Sequence, residues 1–291
     1  METVNNNQLY ERLVNNSSGD DSLLFHYTTL NSACKILESK SLKLSNLSNT
    51  NDPLEFIPGG GFTYHGWGEM EQMFKISREL TISSRRRQNY VRMLCFCMDN
   101  FCTINDWNNE KKQTFTDNLL DRGWARSRMW AQYADNHNGI CFVFNKAEFS
   151  QQFEALKDQS TNITILPGQN IHYSNDLREL EKTMSELNEG HDLLNDYSDF
   201  YLMDDKLPYL FQKCEDYRDE NEFRYCLINK DLTSTDEAMF VPIGQSLKAI
   251  IYGQRFSKIM KLNVPKTIEQ FLIHWSFGIP RLIPLKTGNN L

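Results

Sequence analysis

Four short apolar runs constrain this chain most: LLFHYT at Leu23–Thr28, VRMLCFCM at Val91–Met98, ICFVF at Ile140–Phe144 and FRYCLI at Phe223–Ile228. Each is too short for a buried helix and is rich in aromatic or β-branched residues, so each predicts a strand buried on both faces. Helical patterns lie between them. Thr29 or Asn31 caps a helix running through Glu38, with Ala33, Ile36 and Leu37 on its apolar side. Further helices are predicted over 67–88, 127–135 and 146–157, and two more over 175–205. Leu42–Asn46, residues 161–174 (with a Pro-Gly break), Phe240–Ile243 and Ala249–Tyr252 read as additional strands, and the stretch near Pro280 and Pro284 as an edge strand. The links between elements are short, which favours an α+β architecture over a doubly wound parallel sheet.

At 291 residues with 40% hydrophobic side chains, the chain can bury a sizeable core. We divide it into a flexible, Asn-rich lead at 1–21 and a single domain over 22–291, with the polar stretch 99–126 as a lid or insertion. A net charge of -7 argues against a protein that coats nucleic acid nonspecifically. Two basic groups, Arg85-Arg86-Arg87 and Arg122, Arg126, Arg128, are solvated faces or local phosphate-docking patches. No apolar run approaches the ~20 residues of a membrane span, and the first residues lack the order of a signal peptide. The seven cysteines show no C-x-x-C spacing, and the histidines show no metal-ligand spacing. The expectation is a cytoplasmic protein with core-filling thiols, no metal and no membrane.

Four segments occur in order: FHYTTLNSACKILESKSLKLSN, NDPLEF, MWAQYADNHNGICFVF and KCEDYRDENEFRY. Together they resemble a bacterial family known as domain of unknown function 2971. Tyr217 departs from the family's usual Trp, and the polar stretch at 99–126 is longer than its usual gap. The opening H-Y-T, followed by a helix ending I-L-E-x-x-x-L, is more distantly similar to ADP-ribosyltransferases. Within these it is nearest the DarT-like enzymes that modify nucleic acid and the RNA 2′-phosphotransferases. That similarity implies a split-sheet ADP-ribosyltransferase-like core with peripheral helices and NAD as co-substrate. It implies transfer of ADP-ribose to nucleic acid or protein, a role as toxin or anti-phage defence effector, and a regulatory or antitoxin partner. It also implies that the strand-one histidine contacts one ribose of NAD and a later glutamate the other.

Cleaving the glycosidic bond to nicotinamide passes through an oxocarbenium-like state, so the chemistry needs a bent, held dinucleotide and a nearby carboxylate. Glu222, just before an apolar strand, is the candidate carboxylate, and His26 is its candidate partner. Glu220 and Arg224 lie two residues either side. On an extended segment they share the face of Glu222, and paired carboxylates would raise one pKa for general-base work. The plain alternative is a surface E-x-E-x-R strand with ordinary ion pairs. His26 is a satisfied strand residue or a neutral donor to a ribose oxygen. Thr28 shares its face, while Tyr27 points away and packs unless the strand ends there. Ser45, Asn51 and Asp52 belong to a polar turn or line the cleft. Trp130 and Tyr133, at i and i+3, are core or a stacking pair. Two alternatives stay open: an NAD glycohydrolase or RNA 2′-phosphotransferase using the same cleft, and a non-catalytic nucleotide-sensing module.

Overall fold

The computed structural model describes residues 8–15, 20–52, 89–100, 119–175, 208–257 and 262–285. Its centre is an eight-stranded sheet ordered β12-β11-β10-β4-β1-β3-β8-β5. The strands are β1 (Leu23–Thr28), β3 (Val91–Cys97), β4 (Ile140–Asn145), β5 (Ile163–Asn170), β8 (Glu222–Asn229), β10 (Leu247–Tyr252), β11 (Glu269–Ser276) and β12 (Ile279–Pro284). The four apolar runs of the sequence form β4, β1, β3 and β8, side by side in the middle of this sheet. The pairing is antiparallel except between β10 and β11. Two small ribbons flank it: β2 (Ser41–Lys43) with β9 (Phe240–Pro242), and β6 (His172–Tyr173) with β7 (Gln212–Lys213). The architecture is α+β, as the short connections predict.

Helices are few among the described residues: α1 (Gln8–Val14), α2 (Leu30–Ser39), α3 (Ser127–Gln132) and α4 (Lys146–Glu154). Thr29 caps α2, its hydroxyl accepting from the Ser32 N–H at 3.3 Å, and Lys40 ends it in a left-handed conformation. Asn145 caps α4 in the same way at 3.0 Å from the Glu148 N–H, and Phe149 and Phe153, one turn apart, bury its inner side. Alternation along the strands feeds two cores. Leu24, Phe142, Phe144, Phe149, Phe153 and Ile250 fill one face of the sheet. Leu23, Phe25, Tyr27, Val143, Trp124 and Trp130 fill the other.

Several expectations are corrected. The lead before Asp21 is not a flexible arm over residues 8–15. Leu9 and Leu13, at i and i+4, bury against the second core, and the Trp124 indole donates to the Leu13 carbonyl at 2.9 Å. The two described ends of 99–126 are anchored to the fold. Asp99 forms a buried ion pair with Arg122 at 2.8 Å and also accepts from the Gly123 and Asp20 N–H groups. Arg122 is therefore not a phosphate-docking residue. Helix α3 stops at Gln132 rather than 135, because Asp135, Asn136 and His137 all adopt positive φ. This tight exit delivers Gly139 against the Thr28 carbonyl, where a Cβ would come within 2.3 Å. Strand β11 went unread in the sequence. The helices predicted over 67–88 and 175–205, the Arg85–Arg87 run, and most of 99–126 lie outside the described residues.

One irregularity positions the site. β1 pairs with β4 along its whole length, from Leu23↔Asn145 to Thr28↔Ile140, yet meets β3 at a single register pair, Phe25↔Cys97. Beyond that pair the two strands part. Ser45 takes over the edge of β3 instead, exchanging both backbone hydrogen bonds with Met93 at 2.9 and 2.8 Å.

Candidate functional site

A cavity of about 590 Å³ opens where β1 and β3 separate. It touches the consecutive residues Phe25–Thr28 and Met93–Cys97. Successive strand residues point to opposite faces, so a cavity that meets a continuous run must open on the strand edges. Main-chain groups of both lips therefore border it, together with α2, β2, the polar loop after it, and the start of β8.

His26, on the β1 lip, reaches across the gap. Its Nδ1 lies 3.2 Å from the Cys95 carbonyl oxygen. A carbonyl only accepts, so Nδ1 carries the proton. Burial lowers the pKa of His26, which keeps the ring neutral. Nε2 is then a lone-pair acceptor. This reverses the sequence expectation that His26 donates: a ligand hydroxyl or amide would donate to it.

The opposite lip carries four charged side chains, each almost wholly buried: Lys213, Glu220, Glu222 and Arg224. Residues Glu215–Glu220 form a 3-10 helix, Asn221 turns the chain at φ 42°, and Glu222 begins β8. The two carboxylates converge because of that left-handed turn, not because they sit on one extended segment. Lys213 Nζ lies 2.7 Å from Glu220 Oε2 and 2.6 Å from Glu222 Oε2. Arg224 Nε donates to Glu222 Oε1 at 2.6 Å, and its Nη1 to the Leu210 carbonyl at 2.7 Å. The Tyr133 hydroxyl donates to Glu220 Oε1 at 3.0 Å and accepts from the Asn51 amide at 3.1 Å. The Tyr173 hydroxyl accepts from the Glu222 N–H at 2.8 Å.

Glu222 is 4% exposed. Burial alone would raise its pKa, but Arg224 and Lys213, with a hydrogen bond from Cys95, outweigh it and hold the carboxyl at about 2. The expected upward shift for base chemistry is therefore not present at Glu222. Folding holds Glu222 ionised below its ordinary 4.5, so its contribution to stability is complete above that value and fades as pH falls from 4.5 towards 2. His26 acts in the neighbouring window: its lowered pKa means the unfolded chain takes up the proton first, so stability also declines as pH falls below 6.5. A series of thermal melts is expected to show Tm declining from about neutral pH downwards, with a second, steeper fall below pH ~4.5. A Tm unchanged between pH 7 and 3 would contradict both assignments.

Most of the predicted site residues converge. His26, Tyr27, Thr28, Ser45, Asn51, Tyr133, Glu220, Glu222 and Arg224 all line the one cavity. Tyr27 contributes mainly from its backbone, since its ring packs in the second core and its hydroxyl donates to the Gly123 carbonyl at 2.6 Å. Two residues do not belong to the lining. Trp130 is 0% exposed, stacked edge-on to Tyr27 in the core, so it is unable to stack on a ligand. The helix ends between it and Tyr133, which separates the pair. Asp52 is buried behind the loop, its carboxylate accepting from the Cys214 N–H at 2.6 Å. Arg126 and Arg128 donate to the carbonyls of Asp219 and Asp216 and so brace the 3-10 helix. Sequence reasoning missed Lys213, Cys95, Lys43 and Phe240, which also line the cavity. Only Lys213 left a signal, at the head of the KCEDYRDENEFRY segment.

Among the described residues no cluster of His, Cys, Asp and Glu has the makings of a metal site, and no helix is long and apolar enough to cross a membrane. Cys97, Cys141 and Cys226 are buried. No curated protein and no solved structure matches the chain. Residues 129–225, which include the MWAQYADNHNGICFVF and KCEDYRDENEFRY segments with Glu220 and Glu222, match the family model described as Protein of unknown function (DUF2971), and over these residues the chain resembles that family.

Proposed function

We propose that this chain is an NAD-dependent ADP-ribosyltransferase acting on a nucleic-acid or protein acceptor. The observation that carries the reading is the parted sheet, with a neutral imidazole on one lip and an ionised carboxylate on the other, facing one cavity of about 590 Å³. That volume lies in the range of small-molecule sites, about 300–1,000 Å³. The splitting between β1 and β3 supports the finer fold reading, an ADP-ribosyltransferase-like split core. Adjacent strands are ~4.8 Å apart, so His26 and Glu222, two strands removed, lie within the span of one dinucleotide.

In this reading His26 Nε2 accepts from a ribose hydroxyl and the strand edges hold the nicotinamide amide. Glu222 faces the ribose carbon whose bond to nicotinamide breaks. The bonding pair leaves with nicotinamide, an acceptor oxygen or nitrogen bonds to that carbon, and the acceptor's proton passes to solvent. Glu222 supplies fixed negative charge to the oxocarbenium-like state. Held at about 2, it is a poor proton acceptor, which removes the base role from it. A toxin or anti-phage role, with a regulatory or antitoxin partner, rests on the resemblance to DarT-like enzymes.

Incubating the purified protein with labelled NAD and a panel of DNA, RNA and protein tests the reading. Release of nicotinamide with label on a macromolecule is expected, and His26→Ala should reduce it by up to about tenfold, the net cost of one lost neutral hydrogen bond. Nicotinamide release with no labelled acceptor would indicate hydrolysis. NAD bound but intact would favour the nucleotide-sensing module, a reading to which the ion pairing of both Glu220 and Glu222 lends weight.

A further inference from the structure

The outer end of the cavity carries an aromatic side chain that folding does not explain. Strand β9 alternates exposed, buried, exposed: Val241 goes into the core, which turns Phe240 outward. Phe240 is 47% exposed, one of four large apolar side chains so exposed among the described residues, with Leu120, Phe277 and Ile283. Of these, Phe240 is the one that lines the cavity. Its cross-strand partner is Lys43 of β2. Directly paired residues put their side chains on one face, so an exposed ring and an exposed ammonium stand together at the mouth. Lys35, from α2, lines the same cavity and is also exposed. Glu237 lines the cavity too, but its carboxylate is turned into its own loop, accepting from the Thr233 and Ser234 N–H groups at 2.9 and 3.1 Å. It does not neutralise the two lysines by pairing with them.

We propose that Phe240 and Lys43 form the seat for the adenosine phosphate half of the ligand, the purine stacking on the Phe240 ring and the adjoining phosphate meeting Lys43. The chemistry selects this occupant. A flat π face beside a cation suits a nucleobase one sugar away from a phosphate. The inner end, with His26 and the carboxylates, is polar and suits a ribose. A dinucleotide therefore enters with its nicotinamide ribose inward and its adenine outward. This assignment deepens the proposed function and rests on it.

Titration calorimetry with two ligands tests the orientation. ADP-ribose carries the adenine; nicotinamide mononucleotide does not. Phe240→Ala is expected to weaken ADP-ribose binding about tenfold or more, as stacking contributions to base binding do. Nicotinamide mononucleotide should bind this variant as it binds the wild type. Phe240→Trp should retain ADP-ribose affinity, and Lys43→Gln should lower it while reducing its salt dependence. Because Phe240 is exposed, the Tm of Phe240→Ala should stay within a few degrees of wild type. Unchanged ADP-ribose binding by Phe240→Ala, or equal loss of both ligands, overturns the seat. So does a loss confined to a single-stranded oligonucleotide, which would make the ring an acceptor platform. Failure of the wild type to bind either mononucleotide or ADP-ribose overturns the NAD reading itself, a separate outcome.

Discussion

Replacing Lys213 with methionine is expected to destabilise the protein by about 3–5 kcal/mol, the cost of removing one member of a buried ionic group. Lys213 is the cation shared by Glu220 and Glu222, 2.7 and 2.6 Å from one oxygen of each. Without it, two carboxylates face each other out of water, and Arg224 reaches only the far oxygen of Glu222. Methionine fills nearly the same volume, so the loss is electrostatic rather than a cavity. The sign with pH follows from that. In the variant the carboxylate pair keeps a proton at pH values where ordinary carboxyls have lost theirs. A folded-state pKa raised in this way gives stability that is present at low pH and lost as pH rises. The deficit against wild type should therefore be larger at pH 8 than at pH 5, opposite to the acid loss expected of the wild type. Adding Glu220→Gln to Lys213→Met should recover a large part of the deficit, because one of the opposed charges is gone. Denaturant melts of the four members of this cycle, at both pH values, give the answer. A Lys213→Met protein as stable as wild type at pH 8 would mean that the bridging ammonium holds nothing together.

The sheet was legible because its central strands need nothing beyond apolar composition to be recognised. LLFHYT, VRMLCFCM, ICFVF and FRYCLI are buried on both faces, and β1, β3, β4 and β8 match them to within a residue or so. Strand β11 was not, since EQFLIHWS mixes charge, amide and aromatic residues without a clean period. It pairs with the apolar β10 on one side and with the proline-bearing β12 on the other, and both neighbours compensate for its composition. Helix α1 was hidden for a different reason. Its buried stripe is only Leu9 and Leu13, and the surrounding Asn residues masked it. The site was readable as a set of residues but not as an arrangement. Nothing local in E-N-E-F-R shows that Asn221 turns left-handed, or that a lysine from a separate two-residue strand lies between the glutamates. The ionisation of Glu222 depends on that lysine, so the sequence could point to the carboxylate and still mistake its role. Trp130 failed similarly: i, i+3 spacing implies a shared face only while the helix continues, and it stops at Gln132.

Glu222→Gln is expected to reduce ADP-ribose transfer by about 10²–10³-fold, the loss seen when one fixed electrostatic group is taken from a developing charge. The substitution also leaves a donor mismatch. Arg224 Nε donates to Glu222 Oε1 and Lys213 Nζ ion-pairs with Oε2, whereas an amide carries no charge and accepts at only one of its two positions. Some loss of stability accompanies the loss of rate, so the assay belongs at a temperature where the variant is shown to be folded. The pH profile then separates the roles of the two lips. Glu222, at about 2, is ionised throughout the working range and contributes no limb to the profile above pH ~4. His26 titrates below 6.5, and once protonated it no longer accepts at Nε2. The acid limb of the wild type should accordingly fall below pH 6.5, persist in Glu222→Gln at a lower plateau, and vanish in His26→Ala. Were the limb to vanish in Glu222→Gln and persist in His26→Ala, the carboxylate would be the titrating base, its engagement by Lys213 and Arg224 would have to be broken by the bound ligand, and the electrostatic role assigned to it would be wrong.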